Sequence, residues 1–171
     1  MPEERTTTLI RDATEADVPR ILEIYNYEVE YSTCTADEHP LSLESRMAWF
    51  HERKRLELPV LVLEHGFRVV AWAALNPYSH KSGYRFTVEN SVYVEPGSQG
   101  RGFGKMLLVE TIRRARKRHV HSIIASLDGE NAVSYQLHRS FGFEEVARYP
   151  ELFLKFGRWL DVVHLQLLLE E

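Results

Sequence analysis

A glycine-rich segment near the middle of the chain has the composition of an anion-binding turn. Glycine stands at three alternate positions, Gly100, Gly102 and Gly104, and the cationic residues Arg101 and Lys105 are interspersed with them. Residues without a Cβ let backbone N–H groups converge on an anion, and a helix that begins there adds the positive end of its dipole. The segment therefore predicts a cradle for a phosphate or diphosphate group.

Spacing excludes two common phosphate-binding loops. A Walker A loop has a glycine five residues before its Gly-Lys pair and a Ser or Thr after it, whereas this chain has Gln99 and Met106 there. The dinucleotide-binding fingerprint requires a third glycine where this chain has Lys105. The pattern that fits is Gln-x-x-Gly-x-Gly, from Gln99 to Gly104, and a plain strand-to-helix connection is the alternative interpretation.

The residues on either side of this turn predict a strand before it and a helix after it. The run from Ser91 to Val94 favours a strand, Pro96 stops it, and helical periodicity begins after the last glycine. Over the whole chain the patterns predict the order β-α-α-β-β-β-α-β-α-β-β, which favours an α+β fold with a mixed central sheet and helices on both faces. The predicted strands are 9–11, 59–64, 67–75, 85–94, 122–127, 143–147 and 160–169, and the predicted helices begin after Thr14 and span 42–56, 106–118 and 131–141. The candidate core residues of the helix over 42–56 are Leu43, Met47, Trp49 and Phe50.

Length, charge and cysteine content limit the class of protein. A chain of 171 residues is most simply one domain, residues 1–171, and its net charge of −4 argues against nucleic-acid binding. The basic run 113–118 is interpreted as a solvated helix end, and contact with a nucleic acid is the alternative. Cys34 is the one cysteine, so no disulfide framework is expected, and there is no signal-peptide pattern or apolar run of roughly 18 residues. We therefore expect a cytoplasmic protein with no membrane partner.

Four separated motifs resemble the GCN5-related N-acetyltransferase (GNAT) family, and within it the branch that acetylates phosphinothricin and methionine sulfoximine. They are the glycine-rich loop, 87–94 (TVENSVYV), 131–143 (NAVSYQLHRSFGF) and 155–162 (KFGRWLDV). The N-terminal part is similar as well, so that the resemblance covers about residues 10–167. The resemblance implies the GNAT fold, acetyl-CoA as cosubstrate, a small-molecule amine as acceptor and a homodimer.

Glu89 is the candidate general base. The attacking amine is an ammonium at neutral pH, and a base must remove a proton before the lone pair can attack a thioester. Glu89 lies five residues before Val94 on the predicted strand that leads into the loop, where partial burial would raise its pKa. The resemblance assigns the role of base to the glutamate of the Thr-Val-Glu motif. The alternative is a solvent-facing strand residue or a salt-bridge partner.

The resemblance also implies which residues bind acetyl-CoA. The strand at Val92, Tyr93 and Val94 would splay at a bulge, so that backbone groups pair with the pantetheine arm and one N–H faces the acetyl oxygen. Asn131 and, more weakly, Ser134 would bind the same ligand, although Asn131 would serve equally as a helix N-cap. The loop residues implied to bind the diphosphate are Gln99, Gly100, Arg101, Gly102, Phe103, Gly104 and Lys105.

His138 stands where most relatives have a general-acid tyrosine, seven residues after the asparagine that opens the helix. An imidazole can donate a proton to the departing thiolate near neutral pH, and a packed or capping histidine is the alternative. Tyr135 lies three residues too early for that role and is interpreted as a packing residue. His119 and His121 lack a third ligand at a suitable spacing, so we expect no metal site.

The residues that bind the amine are less sharply defined. A small zwitterionic amino acid with an anionic or strongly polar side chain requires arginine, hydroxyl and amide partners. The loop where this branch often has Arg-Pro-Phe reads Ser79-His80-Lys81 here, and this departure puts the identity of the substrate in doubt. The candidate substrate-binding residues are Asn26, Glu30, Lys81, Tyr84, Arg85 and Asn90.

These observations together predict an N-acetyltransferase that transfers the acetyl group of acetyl-CoA directly to the amine of a small amino-acid-like substrate. No covalent enzyme intermediate is needed, and Cys34 is badly placed in sequence to form one. The alternatives are acetylation of a protein N-terminus or a polyamine, and a non-catalytic module that binds acyl-CoA. The basic residues Lys81 and Arg85 disfavour a polyamine, and the presence of both Glu89 and His138 disfavours a non-catalytic module.

Overall fold

The computed structural model describes residues 7–169, and within them the elements follow the predicted order. None of the helices in this range is both long and apolar enough to cross a membrane. The strands are β1 (Thr8–Asp12), β2 (Val60–His65), β3 (Arg68–Pro77), β4 (Thr87–Val94), β5 (Ser122–Asp128), β6 (Glu144–Lys155) and β7 (Arg158–Leu168). The α-helices are α1 (Val18–Tyr31), α2 (Leu43–Arg55), α3 (Phe103–Lys117) and α4 (Ala132–Arg139).

These strands form one sheet in the order β1-β2-β3-β4-β5-β7-β6. The neighbours β4 and β5 are parallel, and the other neighbouring pairs are antiparallel. Helices α1 and α2 pack on one face through a cluster that contains Ile21, Phe50 and Trp72. Helix α3 packs on the other face, where Leu107 and Leu108 join two further clusters and α4 contributes at the margin. The predicted α+β fold, a mixed sheet between helices, is confirmed.

A gap between β4 and β5 is the feature of the fold that creates a site. The two strands pair over Thr87–Glu89 and Ser122–Ile124 and then separate. Strand β4 continues beside β3 in an unbroken register as far as Val94, whereas β5 follows β7 as far as Asp128. The expected bulge at 92–94 is therefore wrong: the opening arises because the two strands follow different neighbours.

The last hairpin is longer than predicted. The sequence predicted a strand over 143–147, but β6 continues to Lys155 in spite of Pro150. The strand accepts a proline because β6 lies at the edge of the sheet, and its register against β7 shifts between Tyr149 and Phe153. The added length carries the exposed apolar side chains Leu152, Leu154, Phe156 and Trp159.

Helix α2 buries a different stripe from the expected one. Leu43 was a candidate core residue, but it is exposed, and Arg46 is buried together with Phe50. Met47 and Trp49 are half-buried against the same cluster, as expected of apolar residues on this face. The consequence is a cation on the core-facing side of α2, close to the gap in the sheet.

Candidate active site

The gap between β4 and β5 opens into a cavity of about 1150 Å³. Ligand pockets commonly have volumes of roughly 300–1,000 Å³, so this cavity has room for a long ligand together with a small one. Its wall is formed by β4, the glycine-rich loop, β5, α4 and the segment that joins α1 to α2. The predicted site residues in this wall are Glu89, Asn90, Val92, Tyr93, Val94, Gln99, Gly100, Gly102, Phe103, Gly104, Lys105, Asn131, Ser134 and His138.

The remaining predicted site residues are not among those that line this cavity. The amide of Asn26 instead exchanges two hydrogen bonds with the backbone of Leu41, at 3.0 and 2.9 Å, and so fastens the connection between α1 and α2. Glu30 is exposed near the end of α1. Lys81, Tyr84 and Arg85 are exposed in the β3–β4 connection. Of the predicted substrate-binding residues, the structure therefore places Asn90 in the cavity wall beside Glu89 and leaves the other five outside it.

The glycine-rich turn has the geometry of an anion cradle. Gly100 and Gly102 have φ angles of +74° and +82°, a left-handed conformation that is unfavourable for other residues. The first backbone bond into α3 runs from the N–H of Met106 to the carbonyl oxygen of Gly102, at 3.0 Å. Within residues 7–169, the N–H groups of 100–105 therefore donate to no acceptor. Consecutive free amides at a helix N-terminus are suited to a diphosphate.

The other two residues of the cradle differ from the expectation. A Cβ on Gly104 would lie 3.5 Å from Leu137 Cδ2, an ordinary contact, so this glycine is required neither for space nor for a positive φ. The guanidinium of Arg101 donates to His65 Nε2 at 2.8 Å and lies 5.1 Å from the centre of the Phe103 ring. Arg101 thus does not line the cavity, and Lys105 is the cation of the turn that does.

Glu89 lies at the last position where β4 pairs with β5, at the point where the gap begins. Burial raises the pKa of its carboxyl group, while a hydrogen bond from Ser126 and the nearby His164 oppose the change. Its backbone oxygen accepts from Asn76 Nδ2 at 3.3 Å, which helps to fix this part of β4. A carboxylate with a raised pKa beside a cavity is suited to accept a proton.

His138 is buried on α4 in an arrangement that does not favour proton donation. Its Nδ1 lies 2.7 Å from the carbonyl oxygen of Ser134, which can only accept, so Nδ1 carries a proton. Its Nε2 lies 3.1 Å from Asn90 Nδ2 and accepts from it in the neutral ring. Burial lowers the pKa of the imidazole, which favours that neutral form. The geometry therefore favours a role for His138 in orienting Asn90, and it does not favour the expected role of His138 as general acid.

A family model described as the acetyltransferase (GNAT) family matches residues 21–143. The chain belongs to the GNAT family. The L-methionine sulfoximine/L-methionine sulfone acetyltransferase of Salmonella typhimurium is 40% identical over 95% of both chains. The phosphinothricin N-acetyltransferase of Streptomyces coelicolor is 32% identical over 90% of this chain and 91% of its own length.

Two solved structures extend the comparison to three dimensions. The acetyltransferase yncA of Salmonella typhimurium, solved with acetyl-CoA, has a TM-score of 0.93 and 40% identity over 96% of this chain and 95% of that one. A ribosomal-protein-alanine N-acetyltransferase of Brucella melitensis has a TM-score of 0.92 and 45% identity over 94% of this chain and 99% of that one. The GNAT fold predicted from the sequence is therefore confirmed, and acetyl-CoA is the cosubstrate of the family.

In this GNAT chain Asn131 has a structural role that the sequence had left open. Its Oδ1 accepts from the N–H of Ser134 at 3.0 Å and so caps α4. Its Nδ2 donates to the sulfur of Cys34 at 3.4 Å. Cys34 thus lies in the cavity wall although it is distant in sequence. Burial raises the pKa of its thiol, which disfavours the nucleophilic thiolate.

Sequence reasoning missed the charged residues that α1 and α2 contribute to the cavity. Glu28 and Arg46 are buried and line it, whereas the other charged residues of α1 and α2 are half-buried or exposed. The ammonium group of Lys155, on β6, donates to the carbonyl oxygen of Thr35 at 2.7 Å and holds the segment between α1 and α2 over the cavity. The predicted strand over 143–147 was too short to include this lysine. No sequence signal therefore pointed to its contact with Thr35.

The basic run on α3 is compensated by acidic neighbours. Arg113 and Arg114 both pair with Glu110, and Arg114 also pairs with Asp12 at 2.9 Å. The run lies at the end of α3 opposite to the glycine-rich turn, which favours the interpretation as a solvated helix end. Among residues 7–169, no group of three or more His, Cys, Asp and Glu side chains is placed to hold a metal ion.

Proposed function

We propose that this GNAT chain transfers the acetyl group of acetyl-CoA to the α-amine of a small amino acid of the methionine sulfone, methionine sulfoximine or phosphinothricin class. One observation carries the proposal: a single cavity joins the free amides of residues 100–105 to the half-buried carboxylate of Glu89. The two curated relatives, named for these substrates and aligned over nearly the whole chain, support the substrate class.

The residues of the cavity fit a coenzyme A thioester. The N–H groups of 100–105 and the ammonium of Lys105 would hold the diphosphate. The free edge of β4, at Val92 and Val94, offers backbone groups to the amides of the pantetheine arm. Bound in this way, acetyl-CoA supplies an activated acetyl group. Asn90, whose Oδ1 is buried with no partner among the described residues, faces the same cavity.

Glu89 performs the one proton transfer that the chain must supply. Its carboxylate accepts a proton from the substrate ammonium, directly or through one water, and so frees the nitrogen lone pair. Neutral His138 holds Asn90 in place through Nε2. A neutral imidazole whose Nδ1–H is bound to Ser134 has no proton for the departing thiolate, so that proton comes from water or from the new ammonium.

The pH dependence of kcat/KM should report Glu89. The carboxyl group must be deprotonated to act, so activity falls as the pH falls through its pKa. Because burial raises that pKa from its ordinary value of 4.5, the acid limb should lie above pH 4.5. A pH profile of kcat/KM measures the limb, and a limb at or below the ordinary value would contradict a buried base.

The substrate class is tested by thiol release from acetyl-CoA. Methionine sulfone, methionine sulfoximine, phosphinothricin, spermidine and a peptide with an N-terminal alanine should be compared at equal concentrations. We expect the amino acids to give the highest kcat/KM. The Brucella structure, named for ribosomal-protein alanine, makes the peptide the second candidate, and a preference for the peptide would replace the proposed substrate. Binding of acetyl-CoA with no transfer to any amine would instead favour a sensor.

We also propose that the chain forms a homodimer through its last hairpin. Strand β6 is an unpaired edge of the sheet, and the aromatic side chains of Phe156 and Trp159 are each 58% exposed beside it. Long edges with exposed apolar side chains favour association with another chain. A small-molecule amine and a second copy of the chain are thus the proposed partners, in the cytoplasm, with no nucleic acid or membrane.

Charges on the hairpin should separate the dimer. The double variant Phe156→Glu/Trp159→Glu places negative charges on the proposed apolar interface of both copies, so we expect the molar mass to fall from that of a dimer to that of a monomer. Phe67→Glu is the matched control, since Phe67 is 98% exposed at the β2–β3 turn. Light scattering after size-exclusion chromatography measures the mass. A wild-type monomer, or a variant that stays dimeric, would contradict this assignment.

A further inference from the structure

Arg46 is a buried cation surrounded by aromatic rings. Its side chain is on the core-facing side of α2 and the residue is 5% exposed. The carbon at the centre of its guanidinium lies 4.2 Å from the centre of the Tyr25 ring, 4.8 Å from that of Trp49 and 5.7 Å from that of Trp72. Stacking on these rings fixes the plane of the guanidinium and partly compensates its charge.

No carboxylate among residues 7–169 pairs with Arg46. Its Nε is buried without a hydrogen-bond partner, and burial lowers the pKa of the guanidinium. The nearby Asp37 is engaged elsewhere, because its Oδ2 accepts a hydrogen bond from the hydroxyl of Tyr25 at 2.5 Å. An arginine in such surroundings normally has an anionic partner. Arg46 lines the cavity, so a ligand in the cavity is the available source of that anion.

The position of Arg46 relates it to the reacting end of the cavity. Trp49, on which Arg46 stacks, donates from Nε1 to Asn76 Oδ1 at 3.3 Å, and Asn76 in turn donates to the backbone oxygen of Glu89. Trp72 and Asn76 lie opposite Tyr93 and Glu89 in the β3–β4 register. Because alternate residues of a strand share a face, Glu89 and the aromatic group around Arg46 lie on the same face of the sheet.

We propose that Arg46 binds the α-carboxylate of the amino-acid substrate and thereby restricts acceptors to amines with an adjacent anion. This inference rests on the proposed function. The planar guanidinium can bind a carboxylate through two parallel N–H···O bonds. Held in this way, the α-carbon places its ammonium between Arg46 and Glu89. The same residue would discriminate against amines that lack a carboxylate, since these would leave the buried cation unpaired.

The test compares methionine sulfone with its carboxamide, which has nearly the same shape and the same amine but carries an uncharged amide in place of the carboxylate. In the wild-type chain we expect kcat/KM to be about 10- to 100-fold higher for the acid. In Arg46→Met the acid should lose this advantage, mainly through a higher KM, and the two substrates should become nearly equal. Arg46→Lys keeps the positive charge but cannot form the two parallel hydrogen bonds, so it should recover part of the preference for the acid. The KM for acetyl-CoA should not change.

Two controls separate recognition from folding. Arg55→Met removes an arginine from the exposed side of the same helix, where Arg55 pairs with Glu52, and should leave the acid-to-amide ratio unchanged. The melting temperature of Arg46→Met should equal or exceed that of the wild type, because an unpaired buried charge has been replaced by an apolar side chain.

The outcomes are distinguishable. If wild type acetylates acid and amide equally, or if Arg46→Met slows both equally and lowers the melting temperature, Arg46 is a structural residue and the inference is wrong, while the proposed function stands. If wild type acetylates neither form, the proposed function fails, and the assignment of Arg46 fails with it.

Discussion

Replacing Glu89 by glutamine should lower kcat by about 10²- to 10⁴-fold, the range expected when a general base is lost. Glutamine keeps the shape of the side chain but cannot accept a proton from an ammonium. The residue lies in the wall of the cavity on β4 and is not part of the glycine-rich turn. The affinity for acetyl-CoA should therefore remain that of the wild type, and steady-state kinetics with calorimetry measure both quantities.

The control for this variant is Glu44→Gln, on the exposed first turn of α2, which should retain full activity. The acid limb of the pH profile should also disappear in Glu89→Gln, since the titrating group is gone. A variant that keeps wild-type kcat and the same limb would show that another group accepts the proton. The catalytic role of Glu89 would then be wrong even if the substrate is correct.

The double variant Gly100→Ala/Gly102→Ala should weaken acetyl-CoA binding on the order of 30- to 1,000-fold. Each alanine would have to adopt a left-handed conformation that costs about 1–2 kcal/mol per residue. The turn would relax and its N–H groups would no longer converge. No atom lies within 4 Å of a Cβ at either position, so the effect acts through the backbone and the rest of the fold should be unaffected.

Gly97→Ala provides the matched control in the same loop. A Cβ there also has no atom within 4 Å, and its φ is not in the left-handed region, so acetyl-CoA affinity should change less than about twofold. Isothermal calorimetry measures all three proteins. Equal affinities for the double variant and the wild type would show that the diphosphate is bound elsewhere.

Local patterns predicted much of the fold and one part of the site. The turn between β4 and α3 was visible because glycines, a proline stop and a change of periodicity occur within about fifteen residues. Glu89 was predicted from its place on the strand that enters this turn together with the resemblance, and the structure places it in the wall of the cavity. The order of elements followed from alternating periodicities, since each element carries its own apolar pattern.

The remaining features depend on tertiary contacts that no local pattern contains. Arg46 lies in a helix whose apolar residues suggested that Leu43 was buried, and its burial depends on rings from α1 and β3. The contact of Cys34 with Asn131 joins residues far apart in the chain. The predicted strand over 143–147 was too short, because β6 continues through Pro150, which an edge strand tolerates.

The position of His138 was expected, but its protonation was not. Which nitrogen carries the proton depends on the carbonyl oxygen of Ser134 and on Asn90, which reaches the ring from β4. The family pattern suggested that the loop with Lys81, Tyr84 and Arg85 binds the substrate. In the structure of the single chain these three residues do not line the cavity.

A crystal structure of the chain with acetyl-CoA tests the central claim most directly. We predict that the diphosphate accepts hydrogen bonds from the N–H groups of residues 100–105 and that the pantetheine arm follows the free edge of β4. The acetyl group should then lie within the part of the cavity that Glu89 borders. A diphosphate bound to other residues, or a thioester directed away from Glu89, would contradict the account.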